Sequence, residues 1–176
     1  MTTLENNTQY KIDDVRIREL KELAPPSHLL REFPVTSKAA QTVFETRRDI
    51  HRILHGMDNR LLAIFGPCSI HDVAAAREYG TRLRALADDL GEDLLLVMRV
   101  YFEKPRTTVG WKGLVNDPRL DGSFRINEGL GVARGLLLDL ANMGLGSGCE
   151  FLDTITPQFI ADLVTWGAIG ARTTES

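Results

Sequence analysis

The chain lacks any run of roughly 18 consecutive apolar residues, so no membrane-crossing helix is expected. It also lacks a basic start followed by an apolar stretch. The opening MTTLENNTQYKIDD is polar, unlike a secretory leader. Only two cysteines occur, Cys68 and Cys149, too few for a disulfide framework, and both are expected to be reduced thiols in the cytoplasm. An excess of positive charge is missing as well. A formal net charge of −3 argues against a general nucleic-acid binder, which needs a basic face to neutralise phosphates.

What remains, 176 residues of which 43% are hydrophobic, suits one globular domain. Residues 1 to about 12 are too polar to offset their ordering entropy by burial. Val15–Leu23 fits a short strand or a short helix equally. A short helix is expected after Ser27, ending before Pro34. A longer one is expected behind a Thr36 or Ser37 cap, with Ala40, Val43, Phe44, Ile50 and Leu54 on its buried face and Gly56 as terminator. Residues 1–60 are thus an N-terminal extension laid against a main domain that starts at 61.

From there the rhythm changes. Leu61–Gly66 and Leu94–Val100 are continuous apolar runs, as in strands buried on both faces. Between them Asp72 caps a helix reaching about Leu90, with Ala76, Tyr79, Leu83 and Leu86 inward. After a loop of roughly 25 residues, Asn127 is the expected cap of a helix with three internal glycines. Glu150–Leu152, a helix opened by Pro157, and Ala168–Arg172 complete a βαβαβαβ order. This order implies a parallel sheet with right-handed crossovers. Periodicity alone leaves two architectures open, a doubly wound sheet and a (β/α)8 barrel. The segment 61–176 has about half the length a barrel needs, and GARTTES follows directly on a strand, which looks like a cut; length therefore fits a barrel only if the chain is incomplete.

In both architectures ligands bind at the carboxyl ends of the strands. Cys68 follows a Gly66-Pro67 turn at the first such end, where a thiolate suits a borderline-soft metal and a thiol suits packing. His71 stands at the start of the next helix, a usual structural place. Between Arg99 and Lys112 four cations face one anion, Glu103. Arg99 inside an apolar strand needs either a bound anion or an internal acid such as Glu150 or Asp153. Lys104, Arg106 and the neighbouring threonines extend an anion cradle. Gly170, Ala171 and Arg172 offer small residues and a second guanidinium at the fourth strand end. Cys149 reads as packing.

At these residues the sequence resembles a known family. GPCSIHD at 66–72, MRVYFEKPRTTVGWKGL at 98–114, NDP at 116–118 and WGAIGARTTES at 166–176 are similar to the class I 3-deoxy-D-arabino-heptulosonate 7-phosphate (DAHP) synthases of the microbial, aromatic-regulated kind. The resemblance runs from about Asp13 to Ser176 and favours the barrel. It implies condensation of phosphoenolpyruvate with erythrose 4-phosphate, the first step of the shikimate route. It also implies one divalent metal ion (manganese, iron, cobalt or zinc) held by Cys68 with a histidine, a glutamate and an aspartate from later strands. Arg99, Lys104, Arg172 and the amides around Ala171 match phosphoenolpyruvate positions, and Lys104, Pro105, Arg106 and Thr107 the erythrose-phosphate cradle. Glu150 matches a carboxylate near the reacting centre, so Lys104, Arg99 and Glu150 are the candidate catalytic residues. Asp13, Asp14, Pro157 and Gln158 resemble the lining of an aromatic amino-acid effector pocket, and a homo-oligomer is implied for the intact protein. With one metal ligand in hand, the chain alone is expected to bind metal weakly and not to turn over. The competing reading is a non-catalytic protein that binds phosphate or an effector.

Overall fold

The computed structural model describes residues 12–13, 15–17, 19–105 and 109–170. Two helices precede the sheet, α1 (Pro26–Glu32) and α2 (Ser37–Leu54). Pro26 sits in the first turn of α1, where its missing N–H costs nothing. The Thr36 hydroxyl caps α2, accepting from Ala39 N at 3.1 Å and donating to Asn142 Oδ1. The buried stripe of α2 is Ala39, Thr42, Val43, Thr46 and Ile50. Ala40, Phe44 and Leu54, expected inside, are exposed, the last two at 68% and 62%, because the stripe is rotated toward the threonines. Between 12 and 25 the described residues form no regular element, so neither the strand nor the helix expected there is found among them.

Four strands follow: β1 (Leu61–Phe65), β2 (Leu94–Arg99), β3 (Gly146–Phe151) and β4 (Trp166–Ile169). The crossovers are α3 (Val73–Asp89), α4 (Ile126–Asn142), and a short α5 (Pro157–Ile160) that runs into a 3-10 turn at Ala161–Leu163. All three strand pairs are parallel and the spatial order is β1-β2-β3-β4. Each new strand joins the same edge. A doubly wound sheet reverses direction at a switch point, whereas this order winds one way, as in the first half of a (β/α)8 barrel.

Strand boundaries differ from expectation. β3 starts four residues early, since its first positions are Gly146, Ser147 and Gly148, which carry no apolar signal. β4 lies two residues upstream of its expected start. β1 is not buried on both faces. Leu61 and Phe65 are 66% and 41% exposed, for β1 is an edge among the described strands.

The register assigns the two faces. Ala63, Leu94, Leu96, Met98, Val100, Cys149 and Phe151 join the core under the helices. The alternate residues Ile64, Val97 and Arg99, with Gly146, Gly148, Glu150 and Ala168, form the other face. Asp72 caps α3 as expected, accepting from Ala74 N and Ala75 N at 2.8 and 3.0 Å, and Ala76 and Leu83 are buried while Leu86 is 48% exposed.

Asn127 does not cap α4, whose N-cap is Arg125. Asn127 instead ties down the extension: its Nδ2 donates to Glu22 O and its Oδ1 accepts from Ala24 N. Close approach explains one glycine of α4, Gly129. A Cβ on Gly129 would lie 2.1 Å from Val115 O, and Gly131 and Gly135 lie against the Phe33 ring.

Candidate active site

β1 and β2 exit side by side, and short backbone contacts hold their exits together. A Cβ on Gly66 would stand 2.7 Å from Arg99 O, so only glycine lets the two chains come this near. Ile70 N donates to Tyr101 O at 2.9 Å, pinning the 66–72 turn beside the β2 exit. Lys104 N donates to Lys112 O at 3.0 Å and Glu103 bridges Gly113, folding the following loop back on itself. Gly113, at φ 108°, makes this possible, since a Cβ there would meet Phe102 O at 2.2 Å.

This scaffold brings three of the expected residues together. Lys104 Nζ lies 3.2 Å from Cys68 Sγ. Arg99 Nη1 donates to Pro67 O at 3.1 Å, and its guanidinium stands 3.9 Å over the Tyr101 ring. Arg99 makes no ion pair with Glu150, Asp153 or any other acid among the described residues. The exposed Cys68 thiol is held below its ordinary pKa, chiefly by the Lys104 hydrogen bond and charge and then by Arg99. A thiolate-favouring cysteine beside two cations is the result.

Glu150 and Gly170 meet at the next exits. A Cβ on Gly170 would approach Leu152 Cδ2 at 2.5 Å and Glu150 Oε1 at 3.4 Å. Asp153 shapes the turn before α5. Its Oδ1 accepts from Ile155 N and Thr156 N at 2.8 and 2.7 Å, and its Oδ2 accepts from Thr156 Oγ1 at 3.1 Å. Pro157 opens α5 as expected, and Gln158 Nε2 donates to Thr154 O at 3.1 Å. Asp13 is exposed, as is His71. Cys149 is 1% exposed, and burial pushes its thiol pKa up, so it is inert packing. Asp14, Arg106, Thr107, Ala171 and Arg172 lie outside the described residues.

Three residues escape a reading of the sequence. Glu103 figures there only as the lone anion in a basic stretch, yet its side chain is buried, with Asn116 Nδ2 donating to Oε1 at 3.3 Å and Thr156 nearby. Nothing in sequence spacing marks Asn116 or Thr156 as its partners. A separate cavity of about 480 Å³ opens between Lys21–Leu23, the start of α4 and Asp153–Thr156, but its lining mixes both charge signs and does not single out an anion.

Among the described residues no three histidine, cysteine or acidic side chains come together as a metal cage, and no helix is long and apolar enough to cross a membrane.

The sequence model of the DAHP synthetase I family matches residues 32–176. The chain is 64% identical over 167 residues to the Phe-sensitive phospho-2-dehydro-3-deoxyheptonate aldolase of Escherichia coli strain K12, covering 95% of this chain and 48% of that protein. It is 54% identical over 166 residues to the Trp-sensitive protein of the same strain, covering 94% and 48%. Among solved structures, the phospho-2-dehydro-3-deoxyheptonate aldolase of Francisella tularensis SCHU S4 superposes with a TM-score of 0.87 at 54% identity, over 91% of this chain and 47% of that one. The chain therefore spans about half the length of these relatives.

Proposed function

From its membership of the DAHP synthetase I family, to which this chain belongs, we propose that it forms the substrate-binding half of a DAHP synthase. The reaction joins C3 of phosphoenolpyruvate to the aldehyde carbon of erythrose 4-phosphate. Water adds at C2, and inorganic phosphate leaves with cleavage of its C–O bond. The observation that carries this reading is the convergence of Arg99 and Lys104 on the Cys68 turn.

Each residue then has a distinct part. Arg99, which forms no ion pair with an acid among the described residues, holds an anionic group of phosphoenolpyruvate on the strand face it shares with Gly148 and Glu150. Lys104 supplies a second cation between the two substrates. By the family resemblance, Pro105, Arg106 and Thr107 are assigned to the erythrose phosphate, and Gly170, Ala171 and Arg172 to phosphoenolpyruvate. Their joint effect is orientation, which brings two polyanionic substrates into reacting distance. Glu150 lies at the same mouth and polarises the attacking water.

A divalent cation fits Cys68 in part. Its thiol is exposed and biased toward the thiolate, the form that ligates metal. One thiolate is not a complete site, so a full set draws on groups beyond the described residues. Such an ion supplies Lewis-acid activation of an aldehyde oxygen. The Phe-sensitive and Trp-sensitive names of the relatives support an aromatic amino-acid effector, with Asp13, Asp14, Pro157 and Gln158 as its contacts. The segment 1–60, whose residues Glu22 and Phe33 contact Asn127 and the glycines of α4, is the one through which the intact protein assembles into a homo-oligomer.

The test is phosphate release by the protein that carries this chain, with both substrates and a divalent ion present. Lys104→Met is expected to lower kcat/KM by about a hundredfold or more. Phosphate release independent of erythrose 4-phosphate would sink the assignment.

A further inference from the structure

Two imidazoles stand side by side on α2, away from the strand exits. His51 lies in the last turn of the helix and His55 caps it, one turn further on. Residues four apart share a helix face, and both of these are exposed. Their rings stack with centroids 4.0 Å apart and planes 20° from parallel.

Hydrogen-bond roles fix the tautomer of one ring. A carbonyl oxygen only accepts, so the 2.8 Å contact between His55 Nδ1 and His51 O places a hydrogen on Nδ1. In neutral His55 the opposite nitrogen, Nε2, is then a bare acceptor. No described residue bonds it, and the His51 side chain has no described partner except the His55 ring. One ring nitrogen held by a backbone carbonyl, with the other open, is the arrangement of a metal-ligating histidine.

The pair also has the reach of a chelate. Two nitrogens that each lie about 2.1 Å from one ion are at most about 4.2 Å apart. Near-parallel rings at 4.0 Å fall inside that span, and a small turn of either exposed ring aims both Nε2 atoms at one point. The cations nearest in sequence are engaged elsewhere: Arg48 donates to Asp49 Oδ1 at 2.9 Å and Arg52 to Met57 O at 3.3 Å. Histidines in a last turn also serve a helix by carrying positive charge near its terminal carbonyls. Stacked so closely, two charged rings would repel, so that use suits one ring and leaves the pairing unexplained.

We propose that His51 and His55 chelate one divalent transition ion of the zinc, nickel or copper(II) kind through Nε2 of each ring, with water in the remaining positions. Imidazole suits these ions, and two histidines four apart on one helix face are a known zinc-binding pattern. The site is separate from any ion at Cys68. The histidines precede Leu61, the first residue of β1, whereas Cys68 follows its last, Phe65. Five strand residues span roughly 16 Å, so one ion cannot serve both. The assignment does not rest on the synthase reading.

The test titrates nickel(II) into the metal-free protein that carries this chain, followed by calorimetry. A site that survives Cys68→Ser is expected. In that background His51→Gln or His55→Gln is expected to weaken it about tenfold or more, and the double variant no further, because losing one ligand already breaks the chelate. Copper(II) gives a second readout: its electron paramagnetic resonance spectrum in C68S is expected to show two imidazole nitrogens, and one in either glutamine variant. Glutamine keeps helix propensity at these exposed positions, so the metal-free variants are expected to melt with their parent. Nickel then raises the melting temperature of C68S and not of its H51Q/H55Q derivative. Parental nickel affinity in either glutamine variant, or loss of all nickel binding in C68S, overturns the proposal.

Discussion

Arg134 grips both carboxylate oxygens of Asp162, Nη1 on Oδ1 at 2.7 Å and Nη2 on Oδ2 at 2.8 Å, from a position with no solvent exposure. The same guanidinium donates to Phe33 O and Phe159 O, both at 2.9 Å. One side chain on α4 thus joins the N-terminal extension to the segment before β4. Arg134→Ala strands four acceptor oxygens at once, and a cost of about 3–5 kcal/mol is expected. Arg134→Lys is expected to recover little, since one ammonium cannot reproduce the fork. Urea unfolding checks both, and a loss below about 1 kcal/mol in the alanine variant would show that the clamp is dispensable.

The Lys104–Cys68 contact makes a separate prediction about thiol chemistry. Removing the cation in Lys104→Met removes the largest cause of the lowered Cys68 pKa. Cys68 is then expected to alkylate more slowly at neutral pH, with its rate profile displaced to higher pH, while the buried Cys149 stays unreactive in both proteins. An unchanged profile would mean that Arg99 alone sets the thiol.

Gly129 tests which of two opposed effects wins. Alanine in a helix interior is favoured over glycine by about 1 kcal/mol. Yet the new Cβ would stand 2.1 Å from Val115 O and 2.7 Å from Leu114 O, both backbone atoms that cannot rotate aside. Gly129→Ala is therefore expected to destabilise by about 1–3 kcal/mol, in contrast to Gly122→Ala, which meets nothing within 4 Å but is strained by its φ of 72°. A lower thermal midpoint for G129A supports the close approach. A higher one shows that α4 can slide away from the loop.

The legible parts of this molecule are those where one local cause dominates. Asp72 and Thr36 are readable as caps because a short polar side chain before a helical stripe has few other uses. The parallel order follows from alternating apolar runs and helices, and Cys68, Arg99 and Lys104 stand out by their places at strand exits. What stays hidden depends on distant partners. Asn127 looks like a cap but serves Glu22 and Ala24, more than a hundred residues upstream. Gly129 of α4 looks like a helix weakness, and the backbone of Val115 explains it. Glu103 looks like a surface anion in a basic loop, whereas the folded chain buries it against Asn116, Thr156 and Asp153. The start of β3 is hidden because Gly146, Ser147 and Gly148 carry no apolar pattern, their place in the sheet being set by pairing with Val97, Met98 and Arg99.

That buried glutamate also leaves a mark on stability. Its carboxyl titrates at about 7 when folded, against an ordinary value of 4.5. The folded protein therefore keeps a proton that the unfolded chain releases. Between those two pH values the folded state binds more protons, so this group's contribution to stability falls as pH rises from about 4.5 to about 7 and is flat above. A shift of this size is worth up to about 3 kcal/mol. Glu103→Gln removes the ionisation while keeping the shape. It is expected to match wild type near pH 5 and to be the more stable protein near pH 8, by about 1–3 kcal/mol in urea unfolding. A wild type that holds its stability across this interval, with no gain from glutamine at the alkaline end, would mean that Glu103 finds a cationic partner or water above neutrality.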